Sequence, residues 1–502
     1  MRDRPAPDAR FNLAAHVLAA GDDRPDATAL EILGPGGAEC WSYRQLIAAV
    51  RGTATGLLDM GLRPGDRILL RLGNSVEFPL AYLGAIAAGL VPVPTSAQLS
   101  RPEITRVAAG LDPGLVIAGP DIPCPDHPAP VLSADDLHGF HTRPAADWHI
   151  GDPDRPAYVI LTSGTSGRTR AVVHAHRAIL ARRMMWDGWY GLRQSDRLLH
   201  AGAFNWTYTL GSGLMDPWTI GATALIPRAG RASTDLPGLL ARSGATICAA
   251  SPGVYRQALR ADMPALPALR HGLSAGEKLP ETLRDRWRAA TGCDLHEAFG
   301  MSECSTFISG KPGRPAPPDT LGWPQPGRRV ALLDDTGAPV DAGASGIIAI
   351  HRSDPGLMLG YHGEPEASAA RFAGDWFLTG DIACETESGA LRYLGRNDDM
   401  MNAGGIRVSP IEVEGALIEH PGVTEAAACE LRVGPETRII GAFWTGPDPI
   451  EEDDLRAFAA ERLAGYKIPR LFVRVDQLPR GANNKLLRRK LRQDWEMSHG
   501  QT

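Results

Sequence analysis

At 502 residues the chain exceeds what one hydrophobic core organises, so at least two domains are expected. Its 43% hydrophobic and 22% charged residues and net charge of −6 read as a soluble globular protein, excluding a nucleic-acid binder or a basic membrane-surface protein. Seven scattered cysteines form neither a disulfide framework nor a zinc pattern, which fits a reducing cytoplasm.

Residues 1–10 mix Arg2, Arg4 and Arg10 with Asp3 and Asp8 and lack the apolar stretch of a signal peptide. From Trp41 to Val93, helical periodicity alternates with short apolar runs such as residues 66–72. Residues 78–100 are uncharged but broken by Pro79, Pro92 and Pro94, which predicts a buried helix and then a strand, not a membrane span. Residues 158–161 predict a strand that runs into Thr162-Ser163-Gly164-Thr165-Ser166-Gly167, followed by Arg168 and Arg170. Two readings stand for that loop. It is a flexible surface turn, or a polyphosphate cradle in which glycines free the backbone amides and hydroxyls and cations add donors. It is not a Walker A loop, since no Gly-Lys-Ser/Thr closes it. Apolar runs at 245–249 and 271–274 continue a strand–helix alternation, predicting an α/β fold with largely parallel sheets. Around 346–350 and 391–394 the strands shorten into a smaller β-rich unit. A helix at 410–420 and a strand at 426–431 predict a small α+β domain at the end of the chain. The boundary falls at Gly395-Arg396-Asn397-Asp398-Asp399, giving domains 1–397 and 398–502.

Six further islands take their meaning together: Ser274-Ala275-Gly276-Glu277-Lys278, His296-Glu297-Ala298-Phe299-Gly300-Met301-Ser302-Glu303, Leu378-Thr379-Gly380-Asp381, Gly395-Arg396-Asn397-Asp398-Asp399, Gly404-Gly405-Ile406-Arg407-Val408-Ser409-Pro410, and Pro479-Arg480-Gly481-Ala482-Asn483-Asn484-Lys485. In this order and spacing, with the loop before them, they resemble the adenylate-forming superfamily of AMP-dependent synthetases and ligases. The resemblance runs from about Trp41 to Lys490 and is strongest to the acyl-CoA synthetase branch. It implies a large domain of two α/β sheet subdomains and a β-rich subdomain, then a mobile lid. It also implies two half-reactions using ATP, Mg2+ and CoA. A carboxylate attacks the α-phosphorus of ATP, and the resulting acyl-AMP passes its acyl group to CoA.

The resemblance implies these roles. Thr162 and the Ser163–Gly167 loop hold the departing phosphates, Ser302 the α-phosphate, and Glu303 carries Mg2+. Adenine lies between Gly276-Glu277-Lys278 and Glu297-Ala298-Phe299, Asp381 accepts from the ribose, and Arg396 and Arg407 assist at ribose and phosphates. Lys485 is the catalytic cation, Asp398 the hinge, and Gly404 and Gly405 flank the CoA tunnel. Each has a plainer reading: Glu303 an exposed carboxylate at a helix start, Phe299 core, Asp381 a turn aspartate, the arginines solvated surface, and the glycines a tight turn. Lys485 alternatively belongs to a solvated basic tail with Arg488, Arg489 and Lys490.

Residues 204–208 and 214–218 resemble medium-chain acyl-CoA and benzoate-CoA ligases, which put Trp206 beside the acid, or else in the core. Gly300 stands where acetate-specific relatives carry tryptophan, implying a larger acid. Asn205 replaces the aspartate that adenylation domains for amino acids use to pair an ammonium group. Three positions depart from the family pattern: Thr169-Arg170-Ala171 for Pro-Lys-Gly, Asn484 for Gly, and Lys278 for a frequent Pro. The expected partners are a carboxylic acid and CoA, with a second copy of the chain in a homodimer, and no nucleic acid. The alternatives are an adenylating enzyme that loads a carrier protein, and a non-catalytic nucleotide-binding regulator.

Overall fold

The computed structural model describes residues 10–163, 169–230, 233–397, 399–403, 406–434, 438–481 and 486–499. The chain forms two compact units, Met1–Arg329 with Arg352–Phe372, and Val330–His351 with Ala373–Thr502.

The first unit opens with the hairpin β1 (Thr28–Gly34) and β2 (Gly37–Ser42). α1 (Tyr43–Asp59) starts at a capping box, in which Ser42 Oγ accepts from the Gln45 amide and Gln45 Oε1 from the Ser42 amide. Then come β3 (Arg67–Arg71), α2 (Glu77–Ala87), β4 (Val91–Pro94), β5 (Leu115–Ala118) and β6 (Val131–Ser133), whose strands make an all-parallel sheet in the order β4-β3-β5-β6. α2 is buried from Phe78 to Ala87, so the long uncharged stretch is an interior helix followed by a strand, as predicted. Among the described residues no helix is long and apolar enough to cross a membrane.

β7 (Pro156–Ser163) and β8 (Thr169–Ala175) pair antiparallel, with Thr162 opposite Arg170 and Ser163 opposite Thr169. α3 (Ala178–Met185) follows, then β9 (Arg197–His200), β10 (Thr223–Pro227), β11 (Ile247–Ala250), β12 (His271–Ala275), β13 (Leu295–Met301), β14 (Ser305–Ser309) and β15 (Trp323–Pro324). They join β1 and β2 in a nine-stranded sheet, order β15-β14-β13-β12-β11-β9-β10-β1-β2, parallel from β1 through β13. Alternation along its strands covers both faces. Leu199, Cys248 and Ala250 pack with Tyr255 and Trp287, while Leu198, Ile247 and Ala249 pack with Trp189, Tyr190 and Tyr208. Residues Trp186–Tyr190 and Thr209–Met215 are wound as π-helix, a form with no periodic signature in sequence. The chain leaves through β16 (Val330–Leu333) and β17 (Ser345–His351) and returns with the short β18 (Gly360–Tyr361), which pairs with β8.

The boundary is crossed again at β19 (Phe372–Ala373). In the second unit β20 (Trp376–Glu385) pairs antiparallel with β17 and with β21 (Leu391–Arg396). The hairpin β22 (Met401–Ala403) and β23 (Ile406–Val408) precedes α4 (Pro410–Ile418), which Ser409 caps by accepting from the Glu412 amide. β24 (Glu425–Arg432), β25 (Arg438–Thr445) and β26 (Leu471–Arg474) form a three-stranded sheet, and α5 (Arg488–His499) ends the described chain.

Candidate active site

In the first unit β13 turns back into β14 through Ser302-Glu303-Cys304, and three buried anchors fix that turn. His174 on β8 lies with Nε2 2.7 Å from the Ser302 carbonyl. Burial, its largest influence, holds the imidazole down at about 4. The ring is therefore neutral, and because a carbonyl only accepts, the proton sits on Nε2. Arg328, fully buried with its partner Asp354, donates to the carbonyls of Cys304 (3.0 Å) and Thr306 (2.9 Å). Ser305 adopts φ of +65°, a left-handed conformation uncommon for a side-chain-bearing residue, and its Oγ accepts from Arg182 at 2.6 Å.

Arg182 is itself buried and forks onto Asp216 at 2.8 and 2.7 Å, with Tyr190 donating to the same carboxylate at 2.8 Å. Burial works against the Arg182 charge, but Asp216 and the Tyr190 oxygen more than offset it, so its pKa stands above the ordinary value. A bidentate, fully satisfied pair of this kind sets geometry in the interior.

Glu303 accepts from the Tyr361 hydroxyl at Oε1 (2.8 Å), and its carbonyl accepts from the Met358 amide at 2.8 Å. Burial, then the nearby Glu303 charge, pushes the Tyr361 phenol up to about 12, so it is a neutral donor. Oε2 of Glu303 carries no hydrogen bond among the described residues. The Arg170 guanidinium lies 4.9 Å from the Tyr361 ring centre and 3.7 Å from Glu364.

Gly276 follows β12 with φ of +97°, and the Trp206 indole lies against it. Lys278 pairs with the buried Glu297 at 3.3 Å, and Glu297 also accepts from the Leu279 amide at 2.9 Å. The structure thus brings the two predicted adenine-side segments together, and Glu277 within the first of them is half-buried. Ala298 is buried, and Phe299 meets Phe307 edge-on at 5.4 Å. At Gly300 a Cβ would collide with the Ser305 carbonyl and the Thr306 backbone across the β13–β14 ladder. Backbone proximity is therefore reason enough for that glycine, independent of acid size.

In the second unit Asp381 on β20 accepts from Tyr393 (2.7 Å) and Arg396 (3.1 Å), both on β21, and is 5% exposed. Arg407 lies on β23 with its backbone opposite Asn402. Gly164, Thr165, Ser166, Gly167, Asp398, Gly404, Gly405 and Lys485 lie outside the described residues, as do the side chains of Ser163 and Arg407. A bridge between Arg480 and Leu486 brackets the segment that carries Lys485. Arg488 is not part of a solvated basic tail: it forks onto Glu414 of α4 at 2.7 and 2.6 Å and lies 3.5 Å from Asp399.

Sequence reasoning passed over Tyr361, His174, Tyr393, Arg182 and Arg328. His174 and Tyr361 are buried and Tyr393 half-buried polar side chains on strands, a class that must find partners. Nothing in residue spacing names those partners.

The chain matches the model of the AMP-binding enzyme family over residues 18–362 and that of the AMP-binding enzyme C-terminal domain over 412–485. It is 32% identical to benzoate–CoA ligase of Thauera aromatica, covering 90% of each chain. It is 30% identical to a mitochondrial acyl-coenzyme A synthetase of Homo sapiens, covering 98% of this chain and 92% of that one. A solved anthranilate CoA ligase in complex with anthranoyl-AMP superposes with a TM-score of 0.88 at 27% identity, covering 98% of each chain. With the family model spanning well over half of its length, the chain belongs to the AMP-binding, adenylate-forming enzymes.

Proposed function

We propose that this protein is an AMP-forming acid–CoA ligase for a carboxylic acid larger than acetate, aromatic or medium-chain. The observation that carries the reading is full-length similarity to acid–CoA ligases, through the C-terminal segment that ends at Lys485. In the first half-reaction a carboxylate oxygen bonds to the α-phosphorus of ATP as the bond to pyrophosphate breaks. In the second, the CoA sulfur bonds to the acyl carbon and AMP leaves. Both reactants of the first step are anions, so the residues act mainly by positioning and by cancelling charge.

Thr162, Ser163 and the loop after them hold the departing phosphates, and Ser302 the α-phosphate. Gly276 to Lys278 and Glu297 to Phe299 flank adenine, and Trp206 borders the acid. Asp381, kept in place by Tyr393 and Arg396, faces the ribose. Lys485 and Arg407 supply positive charge to the carboxylate and α-phosphate. A hinge at Asp398, between segments 1–397 and 398–502, separates the two steps, and Gly404 and Gly405 leave room for the pantetheine arm.

Mg2+ suits the donor set in the first unit. Glu303 would hold it through Oε2, which carries no hydrogen bond among the described residues, with substrate phosphates and water supplying the other oxygens. When bound, the ion neutralises charge on the phosphates. The deciding experiment measures acid-dependent pyrophosphate release over aliphatic and aromatic acids, then thioester formation against CoA concentration. Pyrophosphate release with saturable CoA dependence is expected; acyl-AMP that accumulates unchanged in the presence of CoA would overturn the reading.

A further inference from the structure

Arg170 stands where the family usually carries the lysine of the phosphate loop, yet its described partners are not on that loop. Its guanidinium covers the ring of Tyr361 at 4.9 Å and approaches Glu364 at 3.7 Å. That same ring ends in the hydroxyl that donates to Glu303 at 2.8 Å. The three groups touch in series: cation over the aromatic face, and the ring hydroxyl on the carboxylate. An arginine suits the first place because its planar guanidinium stacks on an aromatic face, where an ammonium acts as a point charge.

The backbone holds these groups in place. β18 is laced to the outgoing strand of the phosphate loop, with Tyr361 opposite Val172 and the amides of Leu359 and His362 donating to the carbonyls of Val173 and Ala171, each at 2.8 Å. One residue before Leu359, the Met358 amide donates to the Glu303 carbonyl at 2.8 Å. The strap from 358 to 362 therefore ties β8 to both the backbone and the side chain of Glu303. With Tyr361 only 5% exposed, its hydroxyl has little competing water. The bond leaves Oε2 directed by a fixed Oε1, as outer-shell donors do for ligating carboxylates.

We propose that Tyr361 is the positioning residue for the metal-binding carboxylate Glu303, and that Arg170 acts on the site through the Tyr361 ring rather than by contact with the leaving phosphates. The proposal rests on reading Glu303 as the Mg2+ carboxylate.

The test uses the full chain with saturating ATP and no acid, and reads Mn2+ binding by water-proton relaxation beside metal-free ATP affinity by calorimetry in EDTA. Tyr361→Phe keeps the ring and removes only the donor. It should weaken Mn2+ binding about tenfold, the usual scale for an outer-shell partner, with metal-free ATP affinity unchanged. Arg170→Ala should weaken Mn2+ in the same direction and add nothing in the Tyr361→Phe background. Unchanged Mn2+ affinity in Tyr361→Phe, while Glu303→Gln abolishes it, overturns the proposal and leaves the metal reading intact. Unchanged Mn2+ affinity in Glu303→Gln overturns the metal reading and the proposal with it. A loss of metal-free ATP affinity in Arg170→Ala that adds to Tyr361→Phe places Arg170 on the phosphates instead. If Tyr361→Phe does not fold, Arg170→Ala alone decides by the same two readouts.

Discussion

The indole of Trp206 packs so closely on Gly276 that a Cβ at residue 276 would sit 2.5 Å from its ring. Gly276 also holds φ of +97°, so the position excludes side chains twice, once by backbone and once by contact. Gly276→Ala should therefore raise KM for both ATP and the acid and cost about 1–3 kcal/mol of stability. In a Trp206→Ala background the contact is gone, and the same substitution should cost only the backbone part, about 1 kcal/mol. Equal costs in the two backgrounds, read by denaturant melts, would show that the indole does not press on this turn.

Lys485→Ala should abolish acyl-AMP formation, measured as acid-dependent pyrophosphate exchange, and leave thioester formation from supplied acyl-AMP largely intact. Loss of both half-reactions to the same degree would remove Lys485 from the adenylation step.

Asp398→Pro fixes φ near −65° and should impair the CoA step selectively. If pyrophosphate exchange falls as far as thioester formation does, residue 398 is not a hinge.

Burial, the leading cause in each case, lowers His271, His174 and His296 to about 4. The ordinary value of 6.5 is the unfolded one, so below it the unfolded chain binds protons that the folded chain refuses. Stability is full above pH 6.5 and is lost as pH falls toward 4, each histidine adding at most about 1.4 kcal/mol per pH unit. His271→Gln, which removes one such group while keeping a donor for the Tyr190 carbonyl, should flatten the fall of Tm between pH 6.5 and 4. An unaltered slope would contradict the burial argument.

The pair Arg182–Asp216 makes an asymmetric prediction. Asp216→Ala strands a buried guanidinium and should cost about 3–5 kcal/mol, whereas replacing both residues by apolar ones of similar volume should cost less. Only the double variant removes the Arg182 donor of Ser305, so kcat should fall there even where the melting temperature recovers.

The parts of the fold that repeat were legible: apolar runs located β11 and β12, and prolines separated α2 from β4. What stayed hidden depends on burial, which spacing does not encode. Arg488 looks like its neighbours Arg489 and Lys490, and only the Glu414 carboxylate folded against it shows that it is interior. Gly300 looked like a hole for the acid, and the opposing strand shows a backbone reason that a single sequence cannot display. Tyr361 lies in a short strand between two turns, too brief for any period, so its bond to Glu303 became visible only in three dimensions.

The bridge between Arg480 and Leu486, with Arg488 forked onto Glu414 just beyond, has a consequence for chain length. Both stems of the segment bearing Lys485 are pinned, so an inserted or deleted residue cannot be absorbed by sliding. One residue of extended chain spans about 3.3 Å, more than the tolerance of any hydrogen bond. Changes of length between 481 and 485 should therefore cost activity, and an engineer transplanting this lysine has to move both pinned stems with it.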